Sequence, residues 1–106
     1  MTNKITIYTL QGCSVCDRLK NELNHSFIKY KEVSYATDQL ACEKLENATK
    51  SNIYPMCIIE SFPNRKILIC FAKESNQLNQ IKNLNSTTIL TYVHSIDNML
   101  TIIKNA

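Results

Sequence analysis

Hydrophobic and polar residues alternate near the start of the chain, and apolar residues recur at helical spacing directly afterwards. Residues 4–9 alternate and are rich in β-branched side chains, which predicts a strand. After a break at Gln11-Gly12, apolar residues recur every fourth position, as on one face of a helix. These residues are Val15, Leu19, Leu23 and Phe27. A strand followed at once by an amphipathic helix is therefore expected.

The middle of the chain predicts a strand, a helix and a hairpin. Residues 30–35 fit a second strand, and Asp38 can cap a second helix that runs to about residue 48. Two apolar runs follow, over residues 56–60 and 66–72. Pro63-Asn64 between them suits the centre of a type I turn, so the runs are expected to form an antiparallel hairpin.

The last third of the chain begins with a polar stretch, residues 74–86, which allows a short helix around Leu78 to Leu84. Ser86 or Thr87 can then cap a final helix with one apolar face. That face would carry Ile89, Val93, Ile96, Leu100 and Ile103. The predicted order is β-α-β-α-β-β-α, an α/β chain. It contains no linker or repeat, so residues 1–106 are expected to form a single domain.

Composition and charge limit the function classes. The chain is 44% hydrophobic and 20% charged, which is typical of a globular protein. The net charge of +3 is spread along the sequence, whereas nucleic-acid binding favours a concentrated basic face. The longest apolar run, residues 67–72, is far shorter than the roughly 20 residues of a membrane span, and no signal peptide is recognisable. We expect a cytoplasmic protein that binds neither nucleic acid nor membrane.

The five cysteines carry the candidate chemistry. In a reducing compartment they are expected to be free, catalytic or metal-binding. Cys13-Ser14-Val15-Cys16 lies where the first strand meets the first helix. Unpaired N–H groups and the helix dipole favour an anion there, so Cys13 should ionise readily. Cys16 lies on the same face of the first turn and can close a disulfide with it. Cys13 would then attack a substrate disulfide, and Cys16 would resolve the mixed disulfide.

Residues 5–20 resemble the first strand, active-site loop and first helix of the glutaredoxin family. Ile53-Tyr54-Pro55 falls where that family carries Thr-Val-Pro with a cis proline. The resemblance implies a thioredoxin-like fold in which helices flank a central mixed four-stranded sheet. It also implies that Ile53, Tyr54 and Pro55 bind the substrate, with the main chain of Tyr54 pairing with the substrate cysteine.

Three features depart from the glutaredoxin pattern. Leu10 replaces a lysine, Cys-Ser-Val-Cys replaces the usual Cys-Pro-Tyr-Cys, and Gly12 is the only glycine, so the family's Gly-Gly-x-Asp loop is missing. In the family, that lysine and that loop hold the carboxylates of glutathione. We therefore expect glutathione to be at most a weak co-substrate, and we expect no other cofactor.

The C-terminal half is similar to the glutaredoxin-like proteins of large DNA viruses, which share a Cys-Ser-x-Cys site and a long ending rich in Asn and Lys. This similarity implies protein thiols and disulfides as partners, with a sulfhydryl oxidase or a reductase in the same chain of exchange. It places a viral protein of this kind in the host cytoplasm or the virion.

The expected function is thiol–disulfide exchange by Cys13 and Cys16 without a bound metal, and two alternatives are left open. One is a zinc-stabilised domain that uses this pair with two of Cys42, Cys57 and Cys70. The other is an interaction module that keeps the fold without turnover.

The predicted hairpin also raises a question about Cys57 and Cys70. If the hairpin is symmetric about Pro63-Asn64, the two cysteines are cross-strand neighbours. They would then form either a second, regulatory disulfide or a pair of packed core thiols.

Overall fold

A computed structural model describes residues 3–73 and 81–106, which form strands and helices on a single sheet. The three helices are α1 (Ser14–His25), α2 (Gln39–Thr49) and α3 (Ile96–Lys104). The six strands are β1 (Lys4–Thr9), β2 (Lys31–Ser34), β3 (Met56–Ser61), β4 (Arg65–Phe71), β5 (Ile81–Asn83) and β6 (Thr88–Val93). The predicted β1, α1, β2, α2 and hairpin strands are all present, with small shifts at their ends.

The sheet is mixed, and its strand order is β2-β1-β3-β4-β6-β5. β1 pairs with β2 in parallel and with β3 antiparallel, and β3 pairs antiparallel with β4. β6 runs parallel to β4, and β5 runs antiparallel to β6. The chain is therefore α/β, as expected. The expectation of four strands is wrong, because β6 and β5 extend the sheet beyond β4.

Apolar side chains are buried on both faces of the sheet. On one face, β1, β3 and β4 pack against α1 and α3, with Ile7, Ile59 and Ile69 fully buried. On the other face, Met56 and Leu68 pack with Leu45 of α2. Strands covered on both sides lack polar alternation, which explains the continuous apolar run in β4. The core is thus two layers separated by the sheet.

The first helix is shorter than its apolar stripe. α1 ends at His25, and Phe27 has a positive φ of 56° and is 94% exposed. Val15 at the other end of the stripe is also exposed. Only Leu19 and Leu23 of the predicted stripe are fully buried. The assignment of Phe27 to the buried face is wrong because the chain has already left the helix.

The last third of the chain differs most from the sequence expectation. Residues 88–93 form strand β6 instead of the first half of a helix, and α3 begins only at Ile96, after its N-cap Ser95. The cause is visible in the spacing: a four-residue repeat such as Ile89 to Val93 equals two strand periods, so it fits either structure. Parallel pairing with β4 decides for the strand, since it supplies backbone partners along the whole segment.

The short helix expected around residues 78–84 is also not found where the structure describes the chain. Residues 81–83 form the edge strand β5, paired antiparallel with β6. Residues 78–80 lie outside the described part, so the first half of this expectation is untested.

The hairpin forms, but its register is shifted by one residue from the symmetric expectation. The loop has three residues, Phe62 to Asn64, with a cis Phe62–Pro63 bond, and Ser61 pairs with Arg65. Cys57 therefore pairs with Ile69 instead of Cys70. A one-residue shift moves a side chain to the other face, so the two cysteines lie on opposite sides of the sheet. Both are free thiols, and the hypothesis of a second disulfide between them is wrong.

Among residues 3–73 and 81–106, the structure contains no helix with the length and apolar character required to cross a membrane.

A cap substitution tests where the last helix begins. The Ser95 side chain accepts from the Asn98 N–H at 3.2 Å. We predict that Ser95→Ala lowers the free energy of unfolding by about 1 kcal/mol, whereas Ser95→Asp, which keeps a capping acceptor, changes it little. Chemical denaturation measures both. If Ser95 instead lay inside a helix starting at residue 87, alanine would stabilise the protein, so the sign of the change distinguishes the two starts.

Candidate functional site

A disulfide joins Cys13 and Cys16 at the start of α1, with their Cα atoms 5.2 Å apart. Cys13 is the N-cap of the helix, and its Sγ accepts a hydrogen bond from the Cys16 N–H at 3.1 Å. The preceding Gly12 has a φ of +74°, and a Cβ there would meet nothing within 4 Å. Glycine therefore suits this turn because of its backbone angle and not because space is short.

The two sulfurs have different surroundings. Cys16 is only 1% exposed and packs on the α2 face of the sheet, whereas Cys13 is half-buried at its edge. The flanking residues Gly12, Ser14 and Val15 are all exposed. A partner can therefore approach Cys13 from solvent, while Cys16 is shielded by the fold.

The loop before β3 lies at the same end of the sheet as the disulfide. Tyr8 pairs with Met56 in the β1/β3 ladder, so the chain leaves β1 toward Cys13 where it enters β3 from Pro55. The Tyr54–Pro55 bond is cis, in agreement with the expectation. Pro55 and Tyr54 are buried, and Tyr54 belongs to the same apolar cluster as Cys16.

Ile53, the third residue expected in the substrate loop, is half-buried, and its N–H donates to Ser51 Oγ at 3.3 Å. The structure thus places Ile53, Tyr54 and Pro55 in one ordered loop at the disulfide end of the sheet. Their part in substrate binding stays a prediction.

Two tyrosines and two glutamates hold this loop against α2. The Tyr54 hydroxyl donates to Glu46 at 2.6 Å, and the Tyr35 ring meets the Tyr54 ring edge-on at 6.3 Å between centroids. The Tyr35 hydroxyl donates in turn to Glu43 at 3.2 Å. Burial, and then the hydrogen bond to Glu46, raise the pKa of Tyr54 far above its ordinary value. The phenol therefore remains a hydrogen-bond donor, and the loop stays tied to α2.

A polar network of Thr9, Lys20 and Glu32, here called the polar strap, links α1 to β1 and β2. Glu32 accepts from the Thr9 hydroxyl at 2.7 Å and from the Lys20 ammonium at 3.0 Å. The Thr9 hydrogen bond, followed by that of Lys20, lowers the pKa of Glu32. Because the pKa of Glu32 is lower in the folded protein, its ionised form stabilises the fold at pH values above the unfolded-state pKa. This stabilisation is lost as the pH falls through the lowered pKa. The strap is therefore intact at neutral pH.

The remaining cysteines are buried thiols. Cys42 packs on the α2 face, and burial is the largest cause of its raised pKa. Burial also raises the pKa of Cys57 to about 12 and that of Cys70 to about 11. A thiolate is the reactive form, so these three are poor nucleophiles. Cys42 is therefore a packing residue on this face of the sheet.

The zinc alternative requires four cysteines to converge. Cys57 lies on the α1 side of the sheet, whereas Cys42 and Cys70 belong to the same cluster as Cys16 on the other side. Within the described ranges, no group of three or more His, Cys, Asp or Glu side chains is arranged to hold a metal ion. Sharing one cluster therefore does not bring Cys16, Cys42 and Cys70 into an assembled set of metal ligands within the described residues.

Sequence reasoning missed Glu43, Glu46 and Tyr35. The only signal was the spacing of Gln39, Glu43 and Glu46, which lie on one side of α2 because they are three and four residues apart. Acidic residues on one helix side are usually solvated, and nothing local shows that two tyrosines from other segments meet them. This network depends on tertiary contacts.

No protein-family model matches the sequence, and no curated protein matches it either.

We predict that the reduced protein reacts with iodoacetamide first at Cys13, and that Cys42, Cys57 and Cys70 react only after unfolding. Between about pH 7 and about pH 9 both Cys57 and Cys70 should still label far more slowly than Cys13, because their pKa values lie above that range and their thiolate fractions stay small. Peptide mass mapping of native and denatured samples measures the order. Labelling of Cys57 in the native protein at a rate similar to Cys13 would contradict the burial described here.

Proposed function

We propose that this chain is a thiol–disulfide oxidoreductase of the glutaredoxin-like type, with Cys13 as the nucleophile and Cys16 as the resolving thiol. The observation that carries the proposal is the disulfide at the start of α1, with one reachable sulfur and one buried sulfur. The two steps of exchange need this difference. In the first step the substrate disulfide must reach Cys13 from solvent, and in the second step only Cys16, from inside the protein, must reach Cys13.

The helix start favours an ionised Cys13 after reduction. The Cys16 N–H already points at Cys13 Sγ at 3.1 Å, and a thiolate accepts such a hydrogen bond more strongly than a thiol does. The helix dipole acts in the same direction. The Asp17 carboxylate in the first turn disfavours a Cys13 thiolate by repulsion. It lies 3.5 Å from the Lys20 ammonium, which partly offsets its charge.

The exchange balances as follows when the protein reduces a substrate. The Cys13 thiolate attacks one sulfur of the substrate disulfide, and the other substrate sulfur leaves as a thiolate and takes a proton. Cys16 loses its proton and attacks Cys13 Sγ, which forms the Cys13–Cys16 disulfide and releases the second substrate thiol. Two electrons have passed to the substrate. A substrate dithiol that meets the oxidised protein drives the same steps in reverse.

The arrangement of the first four strands supports a thioredoxin-like fold. Within the larger sheet they lie in the order β2-β1-β3-β4, with β2 parallel to β1 and β3 antiparallel to it. The order β-α-β-α-β-β that the resemblance implies runs without interruption through residues 4–71. β5 and β6 are then additions at one edge, placed before the last helix.

The proposed substrates are protein thiols and disulfides, and the proposed partners are a sulfhydryl oxidase or a reductase. Proposed binding residues are Ile53, Tyr54 and Pro55, with the Tyr54 main chain pairing with the substrate. The fixed position of this loop beside the disulfide supports that role, since the Tyr54 side chain is held by Glu46. The proposed location is the cytoplasm, or the virion for a viral protein.

Single cysteine substitutions test the two roles. We predict that Cys13→Ser abolishes reduction of a protein disulfide such as that of insulin, because no accessible nucleophile remains. Cys16→Ser should instead accumulate mixed disulfides, which non-reducing electrophoresis and mass spectrometry detect. Cys57→Ala serves as the matched control, since it removes a thiol from the opposite face. If Cys13→Ser kept full exchange activity, the proposed roles would be wrong.

A charge substitution tests the weak use of glutathione. Leu10 is 38% exposed where the resemblance expects a lysine. We predict that Leu10→Lys speeds reduction of the protein by glutathione by about twofold to fivefold at low salt, the range of an exposed ion pair. Leu10→Gln should leave the rate unchanged, which separates charge from polarity. Equal rates for the two variants at low salt would show that Leu10 does not limit the use of glutathione.

A further inference from the structure

A groove of about 680 Å³ lies on the α2 face of the sheet, and its lining includes neither the disulfide nor Tyr35 and Tyr54. Its described lining includes Leu45 of α2, Ile58 of β3, Leu68 of β4 and Leu84, which follows β5. Ile58 and Leu68 are cross-strand neighbours, so they form one continuous apolar floor. A volume of this size is within the range of about 300–1,000 Å³ of small-molecule sites.

Small residues on α2 help keep the groove open. Ala41 and Ala48 line it together with Leu45, at spacings of four and three residues along one side of the helix. An alanine at two of these three positions leaves space between the helix and the strands that a larger side chain would fill. The opposite side of α2 carries Glu43 and Glu46, which face the tyrosines.

The charged residues of the groove all have one sign. Lys44, Lys50 and Lys66 line it, and none of its described lining residues is acidic. In the described part of the chain, the ion pairs within 4.0 Å involve Arg18 and Lys20 and none of these three lysines. Glu60 is the cross-strand neighbour of Lys66 but is not part of the lining. The described lining of the groove therefore combines an apolar floor with three lysines that form no ion pair within 4.0 Å.

We propose that this groove binds a small amphipathic anion, an alkyl chain that ends in a carboxylate. The apolar chain would lie along Ile58, Leu68 and Leu84, where burial removes its surface from water. The carboxylate would lie at the lysine rim. The site is separate from the Cys13–Cys16 disulfide, so binding does not require exchange activity.

The test uses dodecanoate as the probe and the intact oxidised protein. Isothermal titration below the micelle concentration gives the affinity, and amide chemical shifts locate the site. We expect binding that weakens with added salt, with the largest shifts around Ile58 and Leu84. Dodecyltrimethylammonium has a chain of nearly the same length with the opposite charge and should bind much more weakly. Equal binding of the two amphiphiles, or shifts confined to another surface, would overturn the proposal.

Charge variants sharpen the test. Replacing Lys44, Lys50 and Lys66 together by glutamine should weaken dodecanoate binding about tenfold, as expected for three partly exposed cations. A matched triple variant, Lys29→Gln with Lys31→Gln and Lys104→Gln, makes the same change in net charge away from the groove. Its affinity should stay close to that of the unmodified protein. A similar loss in both triple variants would mean that net charge and not the groove attracts the anion.

Glu60→Gln provides a change of opposite sign. It removes the carboxylate nearest to Lys66 along the ladder without altering the lining. Dodecanoate should then bind about threefold more tightly. Unchanged or weaker binding would contradict the proposed position of the carboxylate beside Lys66. Circular dichroism of each variant shows whether the fold is retained. Leu84→Ser replaces an apolar lining residue by a polar one while all three lysines are kept, and so tests the apolar contacts of the groove.

Discussion

The antiparallel ladder between β1 and β3 determines where the candidate site forms. Its register runs from Lys4 opposite Glu60 to Tyr8 opposite Met56. The last pair sets the distance between two loops, because Cys13 follows β1 closely and Pro55 directly precedes β3. A shift of one residue in this pairing would turn every β3 side chain to the other face and would move Tyr54 away from Cys16. The ladder is protected by burial of Ile7 and Ile59 on one side and Met56 on the other.

The five cysteines around this ladder lie in two kinds of surroundings. One pair is at a helix start, where backbone N–H groups favour negative charge and one sulfur reaches solvent. The other three are distributed over both faces of the sheet, where burial raises their pKa values. The chemical difference therefore comes from position and not from the residue type. Under the proposed function, this difference in position would confine the attack on an outside partner to Cys13.

The parts of the fold that the sequence predicts well are those with local signals. Asp38 accepts from the Ala41 N–H at 3.1 Å as the cap of α2, and the dithiol lies at the strand–helix junction expected from its neighbours. β6 was missed because Ile89 and Val93 are spaced for either a strand or a helix, and only pairing with β4 distinguishes them. The prediction that Cys57 pairs with Cys70 is wrong for a related reason. The length of the hairpin loop sets the register, and one extra loop residue pairs Cys57 with Ile69 and leaves Cys70 on the opposite face of the sheet. The link from Tyr54 to Glu46 depends on contacts between distant segments, and no local pattern reports it.

Helix α2 separates two surfaces of opposite charge, and its periodicity explains how. Glu43 and Glu46 lie on the side that holds Tyr35 and Tyr54, while Lys44 lies on the side that lines the groove. Between them, Cys42, Leu45 and Thr49 point into the core, and the Thr49 hydroxyl donates to the Leu45 carbonyl at 2.9 Å. A helix places residues three and four positions apart on one side, so an eleven-residue helix can present an acidic and a basic side at once. Salt screens exposed charges beyond a distance of about 10 Å, so each surface acts mainly on what lies directly against it. The acidic side therefore bears on the loop beside the disulfide, and the basic side bears on the groove, although both belong to the same short helix.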